Sequence, residues 1–152
     1  YKLLKQKIKK KNYIKFIGNL TRPKFYKQRS LKKNCFLVLP EGIYRECKNI
    51  FKFSLEIAHS LKEFNFIWRV HPVINLKKVF EMLKLKTKDI PKNIIISKND
   101  FLHDIKKSNY VLYKGSAAVL KAVLANNYPI YFKSPKEKNF DPLREILNQK
   151  NY

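Results

Sequence analysis

YVLYKGSAAVLKAVL, residues 110–124, passes from a β run through a turn of small residues into a helix-length apolar segment. Tyr110–Tyr113 are aromatic or aliphatic throughout, as a strand buried on both faces requires. Ala117–Ala125 is apolar almost all round, with Lys121 its only charge, and reads as a buried helix. Between them Gly115 allows a tight turn and a close approach of backbone to a ligand. Ser116 can cap the helix or direct its hydroxyl at a bound oxygen. The N–H groups around Ser116 and Ala117 then face an anion such as phosphate. Strand, Gly-Ser and helix also follow one another where nothing binds, so this stretch leaves both readings open.

The flanking sequence repeats the alternation. Phe36–Leu39 is a continuous apolar run closed by Pro40-Glu41-Gly42, the pattern of a central parallel strand ending in a loop. Glu46–Phe64 carries Cys47, Ile50, Ile57, Leu61 and Phe64 at helical spacing, with Phe53 and Ala58 widening the stripe. Phe66–Val70 is the next strand, with His71-Pro72 at its end, since proline biases the residue before it away from helix. Ile74–Leu85 reads as a second helix and Ile94–Ile96 as a third strand, after which Ser97–Asp100 supply polar caps for a short helix holding Phe101, Leu102 and Ile105. Pro129–Phe132 is a last strand, and Asp141-Pro142 opens a helix through Leu147 as an N-cap followed by proline at the first helical position. Alternation of this kind predicts an α/β fold: an open, doubly wound parallel sheet of about five strands.

Such sheets bind ligands outside the carboxyl ends of their strands. Glu41 and Gly42 follow the first strand, Arg69, His71 and Pro72 close the second, Ser97 the third, and Lys114, Gly115, Ser116 and Ala117 the fourth. A phosphate-bearing ligand accounts for this set economically. Lys114 and Arg69 supply charge, although alternation along a strand leaves open whether Arg69 faces the edge. His71 can donate to a phosphate or protonate a leaving oxygen, or be a strand-end histidine satisfied by backbone. Glu41 can hold ribose hydroxyls or act on an acceptor, or be an exposed loop carboxylate. The GxGxxG and Walker lysine motifs are absent, which disfavours ordinary dinucleotide enzymes and P-loop NTPases.

With 152 residues, 45% of them hydrophobic and 14% aromatic, the chain supports one folded domain with a real core. It lacks a run of about 18 apolar residues and the apolar core of a signal peptide, from which a cytoplasmic protein is expected. The formal charge of +23 comes from 34 Lys and Arg against 11 Asp and Glu, dispersed along the chain. A nucleic-acid module concentrates such charge on one element with interleaved aromatics, and only Lys2–Lys15 is comparably dense, so nucleic acid is a disfavoured partner. That arm, whose apolar residues through Lys11 are Leu3, Leu4 and Ile8, reads either as a solvated helix end or as a peripheral contact with the inner membrane. Cys35 and Cys47 read as buried free thiols, and the separation of His59, His71 and His103 leaves no metal site expected. The start at Tyr1 on a basic arm points to a fragment of a longer polypeptide, with residues 1–34 as the arm and a connection and residues 35–150 as the domain proper.

The set PEG, WRVHP, YKGSAAVLKAVL and NFDPL, in that order and at strand ends, resembles the carboxyl-terminal, donor-binding domain of GT-B glycosyltransferases. The nearest likeness is to those of bacterial surface-polysaccharide and capsule synthesis, the sialyltransferase and 3-deoxy-octulosonate transferase groups with a His-Pro motif. IGNLTRP at 17–23 is similar to the Gly-Asn-Pro-Arg segment that links the halves of such enzymes, so the resemblance covers roughly Ile17–Leu147. It implies a Rossmann-like half of a GT-B fold in which His71-Pro72 and Gly115, Ser116 and Ala117 bind the CMP portion of a nucleotide-sugar donor. No metal or other cofactor is implied. The partners it implies are the donor and the amino-terminal acceptor domain of the same protein. Lys114 stands where arginine is frequent, keeping charge without the bidentate fork, and Ala117 where a second hydroxyl is frequent. Asp141 matches the Asp-Pro-Leu position. The full-length protein is then expected to be a glycosyltransferase, with His71 as general acid or leaving-phosphate stabiliser. The two other classes are a non-catalytic nucleotide or sugar-phosphate module, and a basic membrane- or nucleic-acid-binding domain acting through Lys2–Lys15.

Overall fold

The computed structural model describes residues 34–133 and 141–144. The basic arm, Tyr13–Ile17, whose sequence could form a short strand, the linker with IGNLTRP, and the expected last helix beyond 144 lie outside the described residues.

Five strands, β1 (Cys35–Leu39), β2 (Asn65–Trp68), β3 (Ile94–Ile96), β4 (Tyr110–Tyr113) and β5 (Tyr128–Tyr131), form one all-parallel open sheet in the order β3-β2-β1-β4-β5. The helices are α1 (Tyr44–Ser60), α2 (Leu76–Leu83), α3 (Phe101–Lys107) and α4 (Val119–Leu124), with a 3-10 turn at Thr87–Asp89. This is the expected Rossmann-like α/β architecture.

Alternation along the strands sends side chains to two cores. Leu37, Leu39, Ile67, Val111 and Tyr113 meet Ile105 of α3 and Val119 and Ala122 of α4 on one face. Val38, Phe66, Trp68 and Leu112 meet Cys47, Ile50 and Phe51 of α1 and Val79 of α2 on the other. There Phe51 stacks on Trp68 with ring centroids 4.5 Å apart. Burial on both faces is why these strands read as unbroken apolar runs.

Strand bounds follow the sequence closely, and β3 and β4 coincide with their expected ranges. Helix ends differ. α1 starts at Tyr44 and stops at Ser60, short of Phe64, because Leu61 leaves the helical region and Asn93 Nδ2 donates to the carbonyls of Ala58, Leu61 and Phe64 at 3.0, 3.3 and 2.9 Å. A side chain from another element thus satisfies the carbonyl groups a helix end leaves open. α4 is shorter than the expected 117–125. Ala117 and Ala118 form a turn in which Val119 N–H bonds Ser116 O at 3.2 Å and Leu120 N–H bonds Ala117 O at 3.1 Å. Nor is α4 buried all round: Val119 and Ala122 are buried, whereas Lys121 and Leu124 are exposed, because α4 packs on β4 and β5 and no other described element covers its outer face.

Candidate functional site at the strand-order reversal

From β1 the chain builds β2 and β3 on one side and then returns to place β4 on the other, so the strand order reverses between β1 and β4. Loops leaving neighbouring strands at such a point diverge and open a crevice. Here those loops are Pro40–Ile43 and Lys114–Ala118.

Gly115 has φ +63, and a Cβ on it would lie 2.5 Å from Glu41 Oε2 and 2.7 Å from Glu41 Cδ. The Glu41 carboxyl group therefore rests directly on the backbone of the β4 turn, where only glycine leaves room. Its own loop is held from below, since Cys47 Sγ donates to the Glu41 carbonyl at 3.1 Å. Cys47 is fully buried, and burial, reinforced by Glu46 and Glu41, pushes its pKa up to about 12. It is a neutral thiol donor here.

Gly42 plays the same part for the second loop. A Cβ there would lie 3.1 Å from both Cε1 and Nδ1 of His71 and from Val73 Cγ2. His71 Nδ1 accepts from Val73 N–H at 3.4 Å, which assigns the proton of the neutral ring to Nε2. The turn through Pro72 is closed by Ile74 N–H on the His71 carbonyl at 2.9 Å. The structure thus brings Glu41, Gly42, His71 and Gly115 together at the reversal. Ser116 and Ala117 follow at once, the first partly exposed and the second exposed, and their amides meet no backbone acceptor among the described residues.

Lys114 lies elsewhere. Its side chain is 3% exposed and its Nζ is 2.6 Å from Glu46 Oε2 in the first turn of α1. The contact is an ion pair by distance rather than an aligned hydrogen bond. Nζ also stands 5.7 Å from the centre of the Phe132 ring. The charge expected at the edge is therefore matched inside the protein, tying the exit of β4 to α1. Arg69 and Ser97 form a separate cluster at the ends of β2 and β3, both bonded to Asp104 of α3.

Several residues of this region did not emerge from sequence: Glu46, Cys47 as a loop tether, Asp104, and the partner of Asp141. Asp141 Oδ1 accepts from Tyr113 O–H at 2.7 Å and from Leu143 N–H at 2.9 Å, so it caps its turn and anchors it to β4. Burial and this bond both raise the pKa of Tyr113. A sequence signal existed for Asp104, which shares a helix face with Phe101, Ile105 and Ser108; a carboxylate in an apolar stripe calls for a buried partner. Glu46 is placed likewise, four residues before Ile50.

No His, Cys, Asp and Glu cluster among the described residues could hold a metal ion, and none of their helices is long and apolar enough to cross a membrane. Fold and placement together define a Rossmann-like α/β domain whose polar groups gather at the switch point of its sheet. Compared with known proteins, the chain matches no family model and no curated sequence.

Proposed function

We propose that this domain binds the nucleotide part of a nucleotide sugar, as the donor half of a GT-B glycosyltransferase of surface-polysaccharide synthesis, with a CMP-linked sugar as donor. One observation carries the reading: three strand-end loops interlock by side chain on glycine, Glu41 over Gly115 and His71 over Gly42, at the point where an open parallel sheet takes its ligand. The resemblance of PEG, WRVHP and YKGSAAVLKAVL to such domains supports it from sequence.

In this reading the Ser116 and Ala117 amides and the Ser116 hydroxyl hold the nucleotide beside the β4 turn, while Glu41 accepts from ligand hydroxyls. As the bond from the anomeric carbon to the phosphate oxygen breaks, positive charge grows on the sugar and negative charge on the leaving phosphate. The His71 Nε2–H group donates to that phosphate and stabilises it. The acceptor and its base belong to the amino-terminal half of the full protein.

Calorimetric titration with CMP, CDP, UMP and UDP tests the proposal. Saturable binding that favours CMP and weakens in both His71→Ala and Ser116→Ala is expected. Equal binding of all four nucleotides, indifferent to both substitutions and steeply dependent on salt, would instead identify a non-specific basic surface.

A further inference from the structure

Asp104 lies on the core-facing side of α3 and is completely buried. Its Oδ2 accepts from Arg69 Nη1 at 2.7 Å and from Ser97 Oγ at 2.5 Å. Arg69 Nη1 also donates to the Asn99 carbonyl at 2.8 Å, and the Ser97 hydroxyl accepts from Asn99 N–H at 3.2 Å. Two acceptors engage both protons of Nη1. A guanidinium carries five donors in a rigid fork, so Nη2 and Nε keep theirs, and no described residue accepts from them. The Arg69 side chain is 29% exposed, with the Phe101 ring 5.3 Å from its Cζ. Burying a carboxylate is costly, and an apolar residue of the same size would pack the stripe at no such cost. What the carboxylate adds is a fixed guanidinium: one nitrogen clamped by Asp104 and Asn99, flanked by an aromatic ring, with the rest of the fork uncommitted among the described residues at the carboxyl ends of β2 and β3. A lysine there could not be clamped and still present a planar pair of donors.

We propose that Asp104 is a positioning residue that sets Arg69 as an oxyanion subsite of the ligand-binding edge, taking two oxygens of a phosphate or carboxylate on the Nη2–Nε side. The proposal rests on the nucleotide-sugar reading and adds the anchor that Lys114, paired inside with Glu46, does not supply at the edge. Either the nucleotide phosphate or a carboxylate on the sugar fits this chemistry.

Binding of cytidine, CMP and a CMP-linked sugar acid to the whole chain, compared among wild type, Asp104→Asn and Arg69→Lys, tests it. If the phosphate occupies the subsite, both substitutions shrink the preference for CMP over cytidine about tenfold or more, the size expected for a charged hydrogen-bonded pair. If the sugar carboxylate occupies it, the preference for the sugar acid over CMP falls instead. Loss of cytidine, CMP and sugar-acid affinity by one common factor, or no change in any, would overturn the proposal and leave the nucleotide reading standing. Wild type that binds none of the three overturns that reading and this subsite with it. Arg69→Lys keeps the charge at a partly exposed position and leaves Asp104 in place, so the result stands even if Asp104→Asn fails to fold, which its thermal transition will show.

Discussion

Gly115 answers two demands at once, a left-handed backbone at φ +63 and a carboxyl group pressed against its Cα. Gly115→Ala is expected to lose about 1–2 kcal/mol from backbone conformation alone, and more from the collision with Glu41. In a Glu41→Ala background the same substitution will cost less, because only the backbone part remains; urea unfolding of the four proteins measures the difference. Lys114 makes the complementary case. Replacing it with Met takes the buried cation from Glu46, which among the described residues keeps only Arg45 Nη2 at 4.0 Å, for an expected loss of about 3–5 kcal/mol, whereas Lys114→Met with Glu46→Met restores much of that stability. Gly42, Gly115, His71 and Glu41 were legible as strand-end residues because local pattern places strand ends. That Lys114 turns inward was not legible, since its partner sits on a helix distant in sequence and no spacing rule joins the two.

At the scale of elements, the runs that form β1, β2 and β4 read correctly because a strand buried on both faces has a composition of its own, while the partly exposed edge strands β3 and β5 read from β-branched and aromatic residues. Helix ends read less well. α1 stops where Asn93, from the approach to β3, takes its last carbonyls, and α4 is shortened by the tight turn at Ala117 and Ala118. The cap at Asp100 did leave a signal, and there the His103 amide holds the carboxyl below the usual range. Asn75 did not: the helix expected over Ile74–Leu85 spans Leu76–Leu83, and Asn75 caps it by accepting from Lys77 N–H at 2.9 Å, so Asn75→Ala is expected to lower stability by about 1 kcal/mol in a denaturant titration. The join between β1 and α1 carries a pH signature. The Cys47 thiol is raised from 9.0 to about 12, so the folded state holds its proton more tightly than the unfolded chain does. Its contribution is fully present below pH 9.0 and is lost as the pH rises towards 12. Cys47→Ala should therefore flatten the alkaline loss of stability without abolishing it, because Tyr113 is shifted in the same direction.

For the molecule as a whole, the order of strands and helices was legible from alternation, whereas the sheet order β3-β2-β1-β4-β5 was not, because right-handed crossovers fix which face each helix covers and not which strand lies beside which. That order places the reversal between β1 and β4 and makes Glu41 and Gly115 neighbours. The formal charge of +23 is dispersed along the sequence, whereas at these strand ends Lys114 is paired with Glu46 and one nitrogen of Arg69 with Asp104. Under the proposed function, nucleotide recognition would depend mainly on amides, a hydroxyl, an imidazole and one oriented guanidinium, and its affinity should fall only gently with added salt. The most direct test is a nuclear magnetic resonance titration of the isotope-labelled chain with CMP, followed amide by amide. Saturating shifts confined to Glu41–Ile43, His71–Val73 and Gly115–Ala118, with a smaller set at Ser97–Asn99, are predicted. Shifts that fail to saturate and scatter over the exposed lysines of α2 and of the connection to β3, while the strand-end loops stay still, would contradict a ligand site at the reversal of the sheet.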